Sequence, residues 1–430
     1  MRIASARCLR GTCLVPGDKS ISHRAALIAS LAEGVSTVEN FSAAADCATT
    51  LSCLSALGVA FEKDGTTVRF HGTKLHQPSG ALNCGNSGST MRMMAGLLAA
   101  ENFECTLTGD ASLSARPMSR IVGPLEMMGA RFCTDNGHPP LTINGSDRLF
   151  AIDYQLPVPS AQVKTALLLA GLRAEGRTVV RENVRTRDHS ERMLKWFGAS
   201  VETEDDAGSS ITAISGQARL MGAKLKVPGD FSSAAYFIAA AAMLPGSEIQ
   251  IMNVGLNPTR TQFIDVLRSF GADIETTDMR EECNEPVGTI VVCGRTFHHG
   301  PSNVIQGQIS AALIDELPLL GVVGTQAPGG LTVKDAGELR VKETDRIAAT
   351  VKNLRAMGAS VEEFAGGFSV DGPVRLEGAT IQTYGDHRIA MAFSVAALMA
   401  DGESEITDAA SVAVSFPDFF ARLKSLVEDE

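Results

Sequence analysis

At 430 residues, 44% of them hydrophobic and 20% charged, the chain is longer than one hydrophobic core usually serves, so two domains are the default. Its net charge of −11 argues against nucleic acid or an anionic membrane as the main partner, and an anionic ligand must be met by a local cluster of bases. The nine cysteines show no CxxC or Cys/His spacing, which argues against a zinc module and fits reduced thiols in a cytoplasmic protein.

The opening MRIASARCLRGT runs at once into patterned sequence, so no signal or transit segment is expected. The first predicted helix, SISHRAALIASLAEG, is apolar nearly all round and should be buried. A β-branched strand, STVEN, follows it, and then an amphipathic helix that stops at SALGVAFE. The same succession recurs along the chain. Five amphipathic segments end alike, in SALGVAFE, EMMGARF, KWFGASVE, RSFGADIE and RAMGASVE, with glycines at Gly58, Gly129, Gly198, Gly271 and Gly358. Their spacing of 69 to 87 residues is close to one sixth of the chain, about 72, which fits a six-fold repeat. Glycine supplies the left-handed C-cap that turns each helix into the next strand.

Alternating with these are the alanine-rich stretches SGSTMRMMAGLLAAEN, SAQVKTALLLAGLRAEG, FSSAAYFIAAAAMLPG, ISAALIDELPLLGVVG and DHRIAMAFSVAALMADG, each read as one buried helix. Apolar runs such as 234–244 are too short to span a bilayer. The unit is therefore buried helix, strand, outer helix, strand, and the fold class is α/β with three units per domain. VPGDKS at 15–20 recurs as VPGDFS at 227–232, which marks two crossings between domains. One domain is then discontinuous, 1–15 plus 228–430, and 16–227 is inserted in it.

Charge collects at the helix starts. Among buried helices these carry Lys19, Ser20 and Arg24; Asn86, Ser87, Gly88 and Arg92; Ser160, Gln162 and Lys164; and Asp386, His387 and Arg388. Outer helices begin with Arg116, Arg187, Arg260, and the run Arg340, Lys342, Glu343, Arg346. A helix N-terminus already favours an anion, and added Lys or Arg there costs the helix some stability, so a repeated basic start points to an anionic ligand. A single Arg at such a place is more often a solvated surface residue, and GNSGST lacks the lysine of a nucleotide-binding P-loop. Asp315, in SAALIDELPLL, is harder to dismiss, because a carboxylate inside an apolar helix needs a partner.

GDKSISHR, GNSGSTMR, ARPMSR, SAQVKTALL, ELRVKETDR and GDHRIAMA, in that order over essentially the whole chain, resemble the EPSP synthases. GDKS, SAQVK, RDHSE and NPTR look like the second class of that family. The resemblance implies two inverse-βαβαββ domains, transfer of an enolpyruvyl group from phosphoenolpyruvate to shikimate 3-phosphate, and no metal or organic cofactor. It implies that Lys19, Ser20 and Arg24 bind shikimate 3-phosphate around its carboxylate, and that Ser160, Ala161, Gln162 and Arg187 hold its phosphate and ring. Asp315 and Lys342 would address the ring hydroxyls. Gly88, Arg116, Arg346 and Arg388 would hold phosphoenolpyruvate, with Glu343 and His387 completing the site. Asp315 is the candidate base and Glu343 the candidate acid, with Lys19 assisting. The 16–227 domain would be the shikimate 3-phosphate side and the other the phosphoenolpyruvate side, in a cytoplasmic monomer. One departure is Val414, where the family carries a lysine.

The nearest rival is a UDP-N-acetylglucosamine enolpyruvyl transferase, which typically has a reactive cysteine before its ARP motif; GDASLSARP has none here. An RNA 3′-phosphate cyclase is opposed by the acidic charge and the missing nucleotide motif. A silent repeat scaffold would show ordinary caps without converging cations.

Overall fold

The computed structural model describes residues 1–72, 74–206, 208–298 and 303–428. They divide into two compact units: Met1–Pro16, Pro228–Glu281 and Pro286–Glu430 form unit 1, and Gly17–Val227 with Glu282–Glu285 form unit 2. Each has its own hydrophobic core.

In unit 2 the buried helices α1 (Lys19–Leu31), α3 (Gly88–Ala99) and α6 (Ala161–Gly171) alternate with outer helices. These are α2 (Ala45–Ala56), the short α4 (Ala111–Ser114) with α5 (Ser119–Met127), and α7 (His189–Trp196). Unit 1 repeats the plan with buried α8 (Phe231–Met243), the pair α10 (Gln308–Ala312) and α11 (Leu317–Gly324), and α13 (His387–Ala397). Its outer helices are α9 (Gln262–Ser269), α12 (Arg346–Ala356) and α14 (Phe419–Leu426). All of α8 is buried, as its unbroken apolar sequence requires.

The buried helices α3, α6, α10 with α11, and α13 each join two parallel neighbouring strands, and the outer helices α2, α5, α7 and α12 each lead into an antiparallel hairpin. In unit 2 the third sheet runs Asp153–Gln155, Arg177–Glu182, Ser209–Ser215, Val201–Asp206; the first pair is parallel and the other two antiparallel. The same order recurs in the other three four-stranded sheets; the five-stranded sheet adds Val427–Glu428 to it, and the sixth sheet among the described residues has three strands. The five repeat glycines sit at φ between +87° and +111°, a region where a Cβ is strained, so they end their helices as expected.

The VPGD echo has a topological basis. The strand Cys8–Leu14 pairs in parallel with Glu248–Gly255 in unit 1, yet leads through VPGDKS into α1 of unit 2. Lys224–Lys226 pairs in parallel with Val35–Glu39 in unit 2, yet leads through VPGDFS into α8 of unit 1. The two repeats exchange their first strands.

Two local expectations are corrected. ISAALIDELPLLGVVG is two helices rather than one, and Asp315 lies in the turn between α10 and α11. Pro318, in the first turn of α11, lacks an N–H and crowds the carbonyl four residues back, so the first helix cannot run through it. The sixth repeat lacks the terminal hairpin: Val427–Glu428 pairs with Cys8–Leu14, and Arg2–Ile3 completes the last sheet beside Ser404–Ile406.

Small residues set the helix spacing. A Cβ placed on Gly96 of α3 would stand 2.1 Å from the Ala166 carbonyl oxygen of α6, so only glycine permits this approach.

Candidate functional site

Five buried helices are capped by a short polar side chain that accepts from their first-turn N–H groups: Asp18, Ser87, Ser160, Asp230 and Asp386. Each cap fixes its helix start and leaves the next residues to point at whatever lies beyond it. The basic residues occupy those places.

In unit 2, Arg24 is 3% exposed and its guanidinium is fully directed. Its Nε donates to Ser190 Oγ at 2.7 Å and its Nη2 to Thr165 Oγ1 at 2.9 Å. It also donates to the carbonyls of Ser20 at 2.9 Å and Ala161 at 3.3 Å. Lys19, one turn earlier, forms a 3.0 Å ion pair with Asp46 of α2. Arg92 Nη1 donates to Gln162 Oε1 at 3.0 Å, and Gln162 Nε2 donates to Ser89 Oγ at 2.9 Å, joining the starts of α3 and α6. Arg116 donates to Asn86 Oδ1 at 2.5 Å. Gly88 lies between these bases, since a Cβ there would meet Arg92 Nη1 at 2.7 Å and Arg116 Nη1 at 3.4 Å. Ser160 caps α6, and Arg187 is half-buried on the loop before α7. Unit 2 thus brings together the starts of α1, α3 and α6 with the residues assigned to them from sequence.

Beneath them lies a buried chain of hydroxyls. His23 Nδ1 and Thr50 Oγ1 are 2.7 Å apart, and Thr50 and Thr90 hydroxyls are again 2.7 Å apart. Burial lowers the His23 pKa to about 3, outweighing the nearby Asp46 carboxylate, so the ring is neutral at ordinary pH.

Unit 1 gathers a second cluster. Arg346, the first residue of α12, has a 1% exposed side chain among three carboxylates. Its Nε donates to Asp386 at 2.7 Å, its Nη2 to Glu343 at 2.5 Å, and Asp315 lies 3.7 Å away. Arg388 stands 3.5 Å from Asp315 and 3.7 Å from Glu316, and donates to the Asp315 carbonyl at 3.0 Å. Burial alone would lower both arginine pKa values. Asp386 and Glu343 for Arg346, and Asp315 for Arg388, reverse the sign and raise them. Lys342 moves the other way, lowered by burial against the partial offset of Asp315. His387 is buried in the first turn of α13. Asp315, Glu343, Arg346 and Arg388 therefore form one cluster, while Val414 ends the 3-10 turn Ala409–Val414.

Sequence reasoning did not assign a site role to Asp46, Ser190, Thr165, Glu316 or Ser232. Ser232 donates to Glu316 at 2.5 Å and accepts from Arg260 at 2.5 Å. Position was a usable signal for Thr165 and Ser190, which lie beside Lys164 and Arg187 at helix starts; Asp46, Ser232 and Glu316 stand at helix starts that carry no base. Among the described residues no three His, Cys, Asp or Glu side chains group to hold a metal, and no helix is long and apolar enough to cross a membrane.

A family model for EPSP synthase (3-phosphoshikimate 1-carboxyvinyltransferase) matches residues 3–423. The 3-phosphoshikimate 1-carboxyvinyltransferase of Solibacter usitatus is 49% identical over 99% of this chain and 99% of its own. That of Koribacter versatilis is 49% identical over 100% and 99%. The solved EPSP synthase of Acinetobacter baumannii superposes with a TM-score of 0.86 at 38% identity, covering 99% of this chain and 97% of the other.

Proposed function

The chain belongs to the EPSP synthase family, the 3-phosphoshikimate 1-carboxyvinyltransferases, and we infer from that membership and the two basic clusters that it transfers the enolpyruvyl group of phosphoenolpyruvate to the 5-hydroxyl of shikimate 3-phosphate. Its relatives carry this name rather than that of a UDP-N-acetylglucosamine enolpyruvyl transferase, which removes the rival reading.

The observation that carries the mechanism is Asp315 standing 3.7 Å from Arg346 and 3.5 Å from Arg388. A guanidinium is always charged and presents a fork matched to a carboxylate, so this pair suits the carboxylate of phosphoenolpyruvate. Asp315 takes the proton of the attacking 5-hydroxyl and Glu343 delivers one to the methylene carbon; the tetrahedral adduct then returns a methyl proton to Glu343 as it expels phosphate, which re-forms the enol double bond. Lys342, its pKa lowered by burial, joins Asp315 at the ring hydroxyls. In unit 2, Lys19, Ser20 and Arg24 serve the shikimate carboxylate. Ser160, Ala161, Gln162 and Arg187 serve its phosphate and ring, and Gly88 and Arg116 admit and bind phosphoenolpyruvate. His387, buried in the first turn of α13, completes the substrate site. Unit 2 is thus the shikimate 3-phosphate side and unit 1 the phosphoenolpyruvate side of a cytoplasmic monomer whose nine cysteines are free thiols, working without metal or organic cofactor.

The test is phosphate release from phosphoenolpyruvate with shikimate 3-phosphate or UDP-N-acetylglucosamine as acceptor. Release with the first alone is expected; release with neither, or only with the second, overturns the reading.

A further inference from the structure

Two segments singled out in the sequence, SAQVK and RDHSE, hold residues that the mechanism above leaves without a role. Lys164 of α6 is fully buried, and its ammonium lies 2.6 Å from Glu182 and 2.7 Å from Glu191. Glu182 ends the strand Arg177–Glu182, and Glu191 is in the first turn of α7. One ammonium therefore ties down both ends of the loop 183–188, which carries Arg187. Thr186 donates to Glu182 at 2.5 Å within the same loop, and Thr212 donates to Glu191 at 3.3 Å.

The neighbours of these residues hold Arg24. Thr165 follows Lys164 and Ser190 precedes Glu191; their hydroxyls are 2.6 Å apart, and both accept from the Arg24 guanidinium. A buried ion cluster of this kind is a poor source of net stability, since desolvation consumes most of the attraction. It does fix geometry, because the ammonium has three directed donors and no alternative partner of equal strength. Burial would lower the Lys164 pKa, but Glu191 and Glu182 outweigh it and raise it, so the ammonium keeps its charge at neutral pH.

We propose that Lys164 is a positioning residue for shikimate 3-phosphate: with Glu182 and Glu191 it clamps the Arg187 loop and the start of α7 onto α6, which sets Ser190 and Thr165 where they orient Arg24. The proposal rests on the functional reading above and adds a residue that touches no substrate.

Lys164→Met alone leaves two buried carboxylates facing one another and is expected to unfold, so the informative variant is Lys164→Met with Glu182→Gln and Glu191→Gln, which removes the whole cluster. Amide hydrogen exchange should be faster in 183–190 than in the wild type. The KM for shikimate 3-phosphate should rise about 10- to 100-fold while that for phosphoenolpyruvate stays within about twofold. Wild-type exchange in the loop, an unchanged KM for shikimate 3-phosphate, or an equal rise in both KM values overturns the proposal. A wild-type enzyme that releases no phosphate sinks the functional reading instead, and the exchange measurement then still decides whether the clamp exists.

Discussion

The two clusters hold their arginines differently. In unit 2, Arg24 is oriented by the hydroxyls of Ser190 and Thr165 and the carbonyl of Ser20. In unit 1, Arg346 is enclosed by Asp386, Glu343 and Asp315, which match its charge and more. We propose that the first arrangement presents a fixed guanidinium to the shikimate carboxylate. The second holds acids and bases at fixed positions, as proton transfer requires, and makes the arginine part of the core.

Substitutions should separate the two kinds. Asp315→Asn keeps the shape of the unit 1 cluster but not its proton acceptor, and kcat should fall about 10²- to 10⁴-fold with far smaller changes in KM. A kcat within a few fold of wild type would remove Asp315 as the base. Arg346→Met leaves three carboxylates around an uncharged side chain, so denaturant unfolding should show a loss of about 3–5 kcal/mol. Equal stability would mean that those acids are solvated and the contrast between the clusters fails.

Two smaller effects belong to unit 2. Gly96→Ala forces α3 and α6 apart at a backbone contact and should cost about 1–3 kcal/mol, read as a lower melting temperature. His23 gives unit 2 an acid-sensitive core. Its folded pKa of about 3 lies below the ordinary 6.5, so the unfolded chain takes a proton that the folded chain refuses. The associated stability is complete above pH 6.5 and drains as pH falls, by about 2 kcal/mol at pH 5. Trp196, the one tryptophan of the chain, lies on α7 and reports unit 2 by its fluorescence. The unfolding midpoint should fall between pH 7 and 5, and less steeply in His23→Gln; parallel slopes would contradict the assignment.

Much of this organisation is legible in the sequence because repetition exposes it. Gly58, Gly129, Gly198, Gly271 and Gly358 mark helix ends by a backbone conformation that other residues resist. The basic helix starts could be read because charge is rare in such apolar stretches. The argument for Asp315 rests on an unbroken apolar helix around it, and Pro318 breaks that helix, so Asp315 lies in a turn instead. Lys164 was visible only as another base near a helix start. That its ammonium meets Glu182 and Glu191, 18 and 27 residues on, depends on strand and helix packing that one-dimensional spacing does not encode.

The division of labour is tested most directly by titrating shikimate 3-phosphate calorimetrically into Arg24→Met and Arg388→Met. Arg24→Met should lose about 2–5 kcal/mol of binding, whereas Arg388→Met should bind shikimate 3-phosphate as the wild type does and fail only with phosphoenolpyruvate. Undiminished binding by Arg24→Met, or an equal loss in both variants, would contradict the assignment of the two clusters to two substrates.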